Sequence, residues 1–294
     1  MNRVEGILWA ALSSSTFGLA PLFTLLLIGA GYSSFEVLTY RWGVASLCLA
    51  AYGVATGCSF RLGGRQLGTV FLLSLFRAAT SLSLVIAYQN IASGMASTIH
   101  FMYPLVVALA MMCFFRERGS VWTFAAVGLS IVGAVLLSQG NAGFARGNTT
   151  LGIVSSVVSV VAYGGYIVGV RKSRAVEIDS TVLTCYVMGL GALYFIAGGL
   201  VTGGIRIETD GTAWLCILGV ALPATAVSNM TLVQAIKRIG PTLTSVFGAL
   251  EPLTAVVIGV AVFGEPFTVQ GAAGILLIVA AVTIVILHSG RRKA

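Results

Sequence analysis

Apolar residues in this chain come in runs of about twenty positions, with neither strict alternation nor a polar stripe along them. The stretches 121–138 and 271–287 are the plainest cases. A run of about twenty is the length of a membrane-crossing helix, whereas a membrane β-strand is about half as long and alternates. Short polar segments divide the runs and predict helices at about 5–28, 36–56, 67–89, 94–115, 120–138, 151–170, 180–202, 212–235, 242–263 and 268–288. The expected fold is therefore an all-α membrane protein of ten transmembrane helices, with loops too short for a separate soluble domain.

Composition agrees. Of 294 residues, 57% are hydrophobic and 9% charged, against about 25% charged in soluble domains. The 36 glycines suit close helix packing in a bilayer. These values exclude a secreted domain, a cytosolic enzyme and a disordered chain. The net charge of +8 matters only through its distribution. With the spans placed as above, Arg3, Arg61, Arg65, Arg116, Arg118, Arg171, Lys172, Arg174, Lys237, Arg238, Arg291, Arg292 and Lys293 share one side. Only Arg146 and Arg206 lie in loops on the other. That bias predicts cytoplasmic N- and C-termini and needs no nucleic-acid partner. The first apolar stretch is interrupted by Ser13, Ser14, Ser15 and Thr16, so it reads as a retained helix rather than a signal peptide. Cys48, Cys58, Cys113, Cys185 and Cys216 lack metal-binding spacing and read as small packing residues.

Two copies of one unit follow each other. Gly6-Ile7, Ser13 and Gly18 recur 146 positions later as Gly152-Ile153, Ser159 and Gly164, as do Tyr40 as Tyr186 and Gly94 as Gly240. Ser97, Pro104 and Glu117 recur at an offset of 148 as Ser245, Pro252 and Glu265. The halves 1–140 and 141–294 each hold five spans, and five is odd. The copies are therefore expected to be inverted across the membrane plane, the construction that gives many secondary transporters two related states.

The stretch from Gly94 through His100 and Tyr103-Pro104 to Arg116-Glu117-Arg118 resembles the fourth-helix signature of the drug/metabolite transporter superfamily, EamA type. The second copy resembles it too, in Ala235–Gly240, Leu250-Glu251-Pro252 and Gly264–Thr268, and Tyr40-Arg41 also fits. The resemblance covers essentially the whole chain and is strongest to bacterial exporters of aromatic and other amino acids. It implies a ten-helix bundle in a bacterial inner membrane, with a cavity lined by spans 3, 4, 8 and 9 and touched by spans 1 and 6. Tyr103 stands before Pro104 where the second copy has Glu251, so a carboxylate role belongs to one repeat only.

Ionisable groups inside spans are costly unless paired or hydrated, which makes them candidates for function. They are Arg41, Arg77, His100 and Glu251. Glu251 lies about 15 Å into its span by helical rise, and Arg77 is at similar depth. Arg77 is a candidate for a substrate carboxylate and Glu251 for an ammonium group; alternatively the two pair as a structural lock. Glu251 and His100 are candidates for proton coupling. Arg41 is near a span end, where snorkelling explains it. Asn229 and Ser245 are candidate hydrogen-bonding partners of the substrate, and Phe101, Tyr103, Tyr163 and Tyr166 either enclose its side chain or pack the bundle. Pro104 and Pro252 break their helices, with Gly248 adding local freedom, as gating elements or static kinks. Gly165 and Gly169 form a GxxxG pattern for contact within the bundle or between copies. Asn148 heads an Asn-Thr-Thr sequon in an outer loop.

The chain has no phosphate loop, HExxH helix or GxSxG elbow, and Glu251 is its one mid-span carboxylate. No catalytic residue, metal, cofactor or ATPase subunit is expected. The expected function is export of amino acids, neutral or aromatic ones favoured, by a monomer or weak homodimer in the lipid bilayer. Other small metabolites or lipophilic drugs are the competing substrates, and a channel or a membrane-embedded enzyme is a more distant reading.

Overall fold

The computed structural model describes residues 2–91, 93–116, 120–138, 147–251, 253–254, 257 and 269–290. Pro252, Glu117, Arg118, Arg146, Glu265, the 264–268 motif and the basic residues at 291–293 lie outside the described residues.

Every regular element among those residues is helical. Span 1 is Asn2–Phe17 with Ala20–Gly29, span 2 is Ser34–Ala55 and span 3 is Gly64–Asn90. Span 4 joins Ser93–His100 to Tyr103–Phe115, and span 5 is Val121–Ser138. Spans 6 and 7 are Thr149–Lys172 and Ser180–Thr202. Span 8 runs from Gly211–Ala221 through a π-helical turn, Leu222–Val227, into Ser228–Ile239. Span 9 begins at Pro241–Phe247, and span 10 is Val269–Gly290. Six of these stretches, from Arg3–Gly29 to Gly211–Ile239, are each long and apolar enough to cross a membrane, and Tyr103–Phe115, Val121–Gly133 and Val269–Ile284 are shorter apolar helices. The elements follow the ten expected spans.

Polar side chains set the helix starts. Ser33 accepts from Glu36 N–H while the Glu36 carboxylate accepts from Ser33 N–H, a capping box that opens span 2. Asp179 and Asp210 cap spans 7 and 8. Asn148, the sequon residue, caps span 6 through Leu151 N–H.

Four spans are interrupted near their middles: breaks in spans 4 and 9 were expected from Pro104, Gly248 and Pro252, whereas those in spans 1 and 8 were not. Leu19 N–H bonds back to Thr16, Met102 to Ile99 and Gly248 to Ser245, so the backbone tightens to three-residue bonding in spans 1, 4 and 9, whereas span 8 widens into its π turn. Pro21 and Pro104 follow the first two breaks and Pro223 lies within the π turn, and each lacks the N–H donor of a continuous helix.

Packing pairs the two halves. Span 1 lies along span 8, span 3 along span 6, span 2 on span 7, span 5 on span 10, and Tyr103–Phe115 on Pro241–Phe247. Exchanging spans 1–5 with 6–10 maps this set of pairs onto itself, as inverted repeats require. Glycines let the seams close. A methyl on Gly191 would overlap the Trp42 ring, one on Gly165 would meet Phe76 at 3.0 Å, and one on Gly169 would meet Leu73 at 2.7 Å. The GxxxG pattern therefore serves contact within the bundle, against span 3.

The repeat-equivalent tyrosines act at opposite ends. The Tyr40 hydroxyl donates to the Arg206 carbonyl in the loop between spans 7 and 8, and its ring meets Trp214 edge-on at 5.9 Å. The Tyr186 hydroxyl donates to the Phe60 carbonyl between spans 2 and 3 at 2.9 Å, and its ring meets Phe60 at 6.2 Å. At the Tyr186 end Glu5 pairs with Arg238 at 3.4 Å, and Arg171 donates to the Lys237 carbonyl at 2.8 Å. The basic residues of several loops thus gather at one end, the basic end, opposite Arg206.

Gly191→Ala is expected to destabilise the protein by about 1–3 kcal/mol through overpacking against Trp42. Gly128→Ala, with open space at its position, should leave the thermal midpoint in detergent unchanged; equal midpoints for the two variants would contradict the seam.

Candidate functional site

The breaks converge on one region. A methyl on Gly18 would come within 2.7 Å of the Glu251 carbonyl, and one on Gly248 would overlap the Tyr103 hydroxyl. Span 1 therefore meets span 9, and span 9 meets span 4, at their interruptions. Gly248 has φ −54° and ψ −19°, a conformation open to any residue. Its smallness, rather than the expected backbone freedom, is what the structure uses.

Arg77 lies at the middle of span 3 and is 1% exposed. Its Nε donates to Asn229 Oδ1 at 2.8 Å and its Nη1 to Ser81 Oγ at 3.4 Å. Aromatic rings surround the guanidinium, with Tyr163 at 5.1 Å, Phe17 at 5.4 Å, and Trp42 and Tyr166 at 6.0 Å. A desolvated cation gains about 2 kcal/mol from a well-placed ring. Asn229 is fixed in turn by donating its Nδ2 to the Thr225 carbonyl at 2.8 Å, beside the π turn of span 8. Among the described residues no carboxylate forms an ion pair with Arg77, so the direct Arg77–Glu251 lock is not the arrangement present.

Glu251 faces a different chamber, a cavity of about 40 Å³ walled by Phe17, Pro21, Tyr88, Ser97 and His100 among others. The Tyr103 hydroxyl reaches its carboxylate at 3.5 Å. Tyr103 packs edge-on against Tyr163 at 4.6 Å, and Tyr163 is the ring nearest Arg77. Two tyrosine rings thus link the buried cation to the half-buried carboxylate. Phe101 braces Tyr103 at 5.9 Å.

His100 stacks on Tyr163 at 5.2 Å, and its Nδ1 lies 2.9 Å from Ser159 Oγ. The Ser159 hydroxyl already donates to the Ser156 carbonyl at 2.6 Å. Its oxygen therefore accepts from Nδ1–H, which assigns the tautomer. Nε2 is left as a buried acceptor with no partner among the described residues. Among the described residues the Tyr166 hydroxyl and the Trp42 indole N–H are likewise buried and unpartnered.

Ser245 stands apart, its hydroxyl donating to the Thr242 carbonyl of its own helix at 2.8 Å. Arg41 departs from expectation: it is 5% exposed and does not snorkel. Its Nε donates to Thr225 Oγ1 at 2.6 Å and its guanidinium lies 5.7 Å from the Phe17 ring. Its Nη2 has no partner among the described residues and lies beside a cavity of about 10 Å³, which is about the space for one water. Glu36, on the same span, pairs with Arg206 at 3.4 Å. Phe17, Trp42, Tyr88 and Ser81 belong to the site without having been singled out from the sequence. The mid-span prolines Pro21 and Pro223 were the available signal, since they mark spans 1 and 8 as broken.

Above the site, opposite the basic end, a polar latch joins loops 30–33 and 203–210. The Tyr32 hydroxyl donates to the Glu208 carboxylate, which also accepts from Thr209 and Asp210 N–H at 2.9 and 2.6 Å. The Arg206 guanidinium lies 3.6 Å over the Tyr32 ring. Burial and the neighbouring Glu208 push the Tyr32 hydroxyl up to about 12. The Tyr32 hydrogen bond and the backbone N–H groups hold Glu208 below the ordinary carboxylate range.

Broken helices around a buried, membrane-deep polar centre define a multi-span membrane transporter, and comparison with known proteins agrees. The model of the EamA-like transporter family matches residues 4–139 and again 150–287. The chain belongs to that family. An uncharacterized transporter of Archaeoglobus fulgidus is 27% identical over 75% of this chain and 77% of its own. The uncharacterized transporter YojE of Bacillus subtilis is 24% identical over 90% of this chain and 87% of its own. A crystal structure 20% identical in sequence shares the fold over 100% of this chain and 99% of its own, with a TM-score of 0.79.

Because Glu208 is held below the ordinary carboxylate value of about 4.3, its contribution to the latch is complete above that pH and is lost as pH falls through the lowered value. At neutral pH Glu208→Ala should mimic that loss. A Thr24→Cys reporter, buried beneath the latch, is then expected to react several-fold faster with a membrane-impermeant maleimide. An unchanged labelling rate would mean that the loops do not close this end.

Proposed function

We propose that this protein is a secondary transporter that exports amino acids, neutral or aromatic ones favoured, across a bacterial inner membrane by alternating access. The observation that carries the reading is the separation of Arg77 from Glu251 by the rings of Tyr103 and Tyr163. A zwitterion presents an anion and a cation a short distance apart, and this centre offers their complements on either side of an aromatic partition. The cavity beside Glu251, about 40 Å³, has room for about three waters. An amino acid therefore enters only when the partition moves.

In this scheme the substrate carboxylate takes the remaining donors of Arg77 while Asn229 keeps the guanidinium oriented. The ammonium group lies between Glu251 and the bare Nε2 of His100. Phe17, Trp42 and Tyr163 receive the side chain, which favours aromatic substrates. The repeats, 1–140 and 141–294, rock about this centre, with the breaks at Phe17, His100, Pro223 and Phe247 as the articulations and with both termini cytoplasmic. Glu251 and His100 are the groups available to couple substrate movement to a proton. The protein works as a monomer or weak homodimer with no ATPase subunit. The aromatic walls favour one competing reading, a metabolite or lipophilic drug without charged ends.

Counterflow of a panel of labelled amino acids in proteoliposomes separates these readings. Under the amino-acid reading at least one zwitterion exchanges, and Arg77→Gln and Glu251→Gln each lower its exchange at least tenfold, about 1.4 kcal/mol. Exchange that ignores both substitutions, or that accepts only uncharged analogues, would replace amino acids by the competing class. Flux indifferent to an imposed pH gradient would leave the carrier facilitative rather than proton-coupled.

A further inference from the structure

A second site lies at the basic end, away from the transport centre. An open cleft of about 650 Å³ separates the start of span 3 from the end of span 6, with Arg65, Gly68 and Leu72 on one wall and Lys172, Arg174 and Glu177 on the other. Three cations thus face one carboxylate. Among the described residues the side chains of Arg65 and Arg174 make no hydrogen bond or ion pair, and Lys172 rests 4.9 Å over the Phe115 ring. The wall is open as well, since a methyl on Gly64 or Gly68 would find nothing within 4 Å. Span 3 starts here and span 6 ends here, so the opposed dipole ends of the two helices offset each other and the anion-attracting field is that of the three cations.

The surroundings say what kind of anion fits. The cleft sits where span 3 begins and span 6 ends, which is the depth of lipid headgroups. Leu72 and Phe115 beside it are 54% and 41% exposed, on helices that face the hydrocarbon. The ligand is therefore anionic at one end and apolar at the other. We infer that this cleft binds a phosphate-bearing ligand, which in the membrane is the headgroup of an anionic phospholipid. The bound lipid bridges spans 3 and 6, the helices that carry Arg77 and Tyr163. This inference does not depend on which solute is transported.

The test uses the purified full-length chain, delipidated in detergent and titrated with phosphatidylglycerol, phosphatidylcholine or inorganic phosphate while its thermal midpoint is followed. Phosphatidylglycerol is expected to raise the midpoint saturably, with the other two well below it. Arg65→Ala and Arg174→Ala should each weaken the apparent affinity about fivefold, the factor for about 1 kcal/mol per basic residue near a charged surface. Arg61→Ala, at the same end but outside the cleft, should leave it unchanged. Gly68→Leu, which narrows the cleft with no change in charge, should also weaken the effect, and it keeps the test valid if an arginine variant fails to fold. Equal protection by phosphatidylcholine, or equal weakening by Arg61→Ala, would overturn the site. Full protection by inorganic phosphate would overturn the assignment to lipid.

Discussion

The requirement that governs this molecule is the accommodation of the Arg77 charge at the middle of an apolar bundle. A guanidinium there is costly unless something replaces its water. The replacement is assembled from four spans: Phe17 from span 1, Trp42 from span 2, Tyr163 and Tyr166 from span 6, and Asn229 from span 8. Asn229 holds its position because the π turn of span 8 presents the Thr225 carbonyl to it. That same turn presents the Thr225 hydroxyl to Arg41. One distorted stretch of helix therefore serves two buried cations, and its proline is part of the arrangement rather than a defect.

Neutral rings satisfy Arg77 only in part, and that matters for a carrier. A cation locked to a carboxylate would have to give up a strong partner to bind an anionic solute. Here the exchange is between weak contacts and a charge-assisted hydrogen bond. The tyrosines have a double part. They keep Arg77 and Glu251 from neutralising each other, and they fill the space that a solute would take. Gly248 allows this by leaving room for the Tyr103 hydroxyl against span 9.

Much of this was legible in the sequence, for identifiable reasons. Twenty-residue apolar runs have one physical meaning in a bilayer, so the spans followed from Ser34–Ala55 and its counterparts, and where both ends are described their boundaries differ by only a few residues. Arg77, His100 and Glu251 stood out because charge inside a span is rare. Trp42, Phe17 and Tyr88 did not, because an aromatic residue in an apolar run looks the same whether it packs lipid or cradles a cation. Arg41 was misread for a related reason: depth counted from a predicted boundary says nothing about which way a side chain turns. It turns inward, to Thr225, a residue 184 positions away. The helix breaks were half visible. Pro104 and Pro252 drew notice through the repeat, while Pro21 and Pro223 lack counterparts at the same offset.

The paired tyrosines have a consequence for how such a carrier changes over time. Tyr40 and Tyr186 stand 146 positions apart in the two stretches that match one family model, yet each secures a loop of the other stretch at a different end. One position of the pattern thus supplies both closures, through two independent residues. A substitution at either one changes the energy of a single end. Under the proposed alternating access, the balance between inward-facing and outward-facing forms is therefore adjustable one residue at a time, with the polar centre untouched. Relatives that differ in direction or speed need not differ in what they recognise.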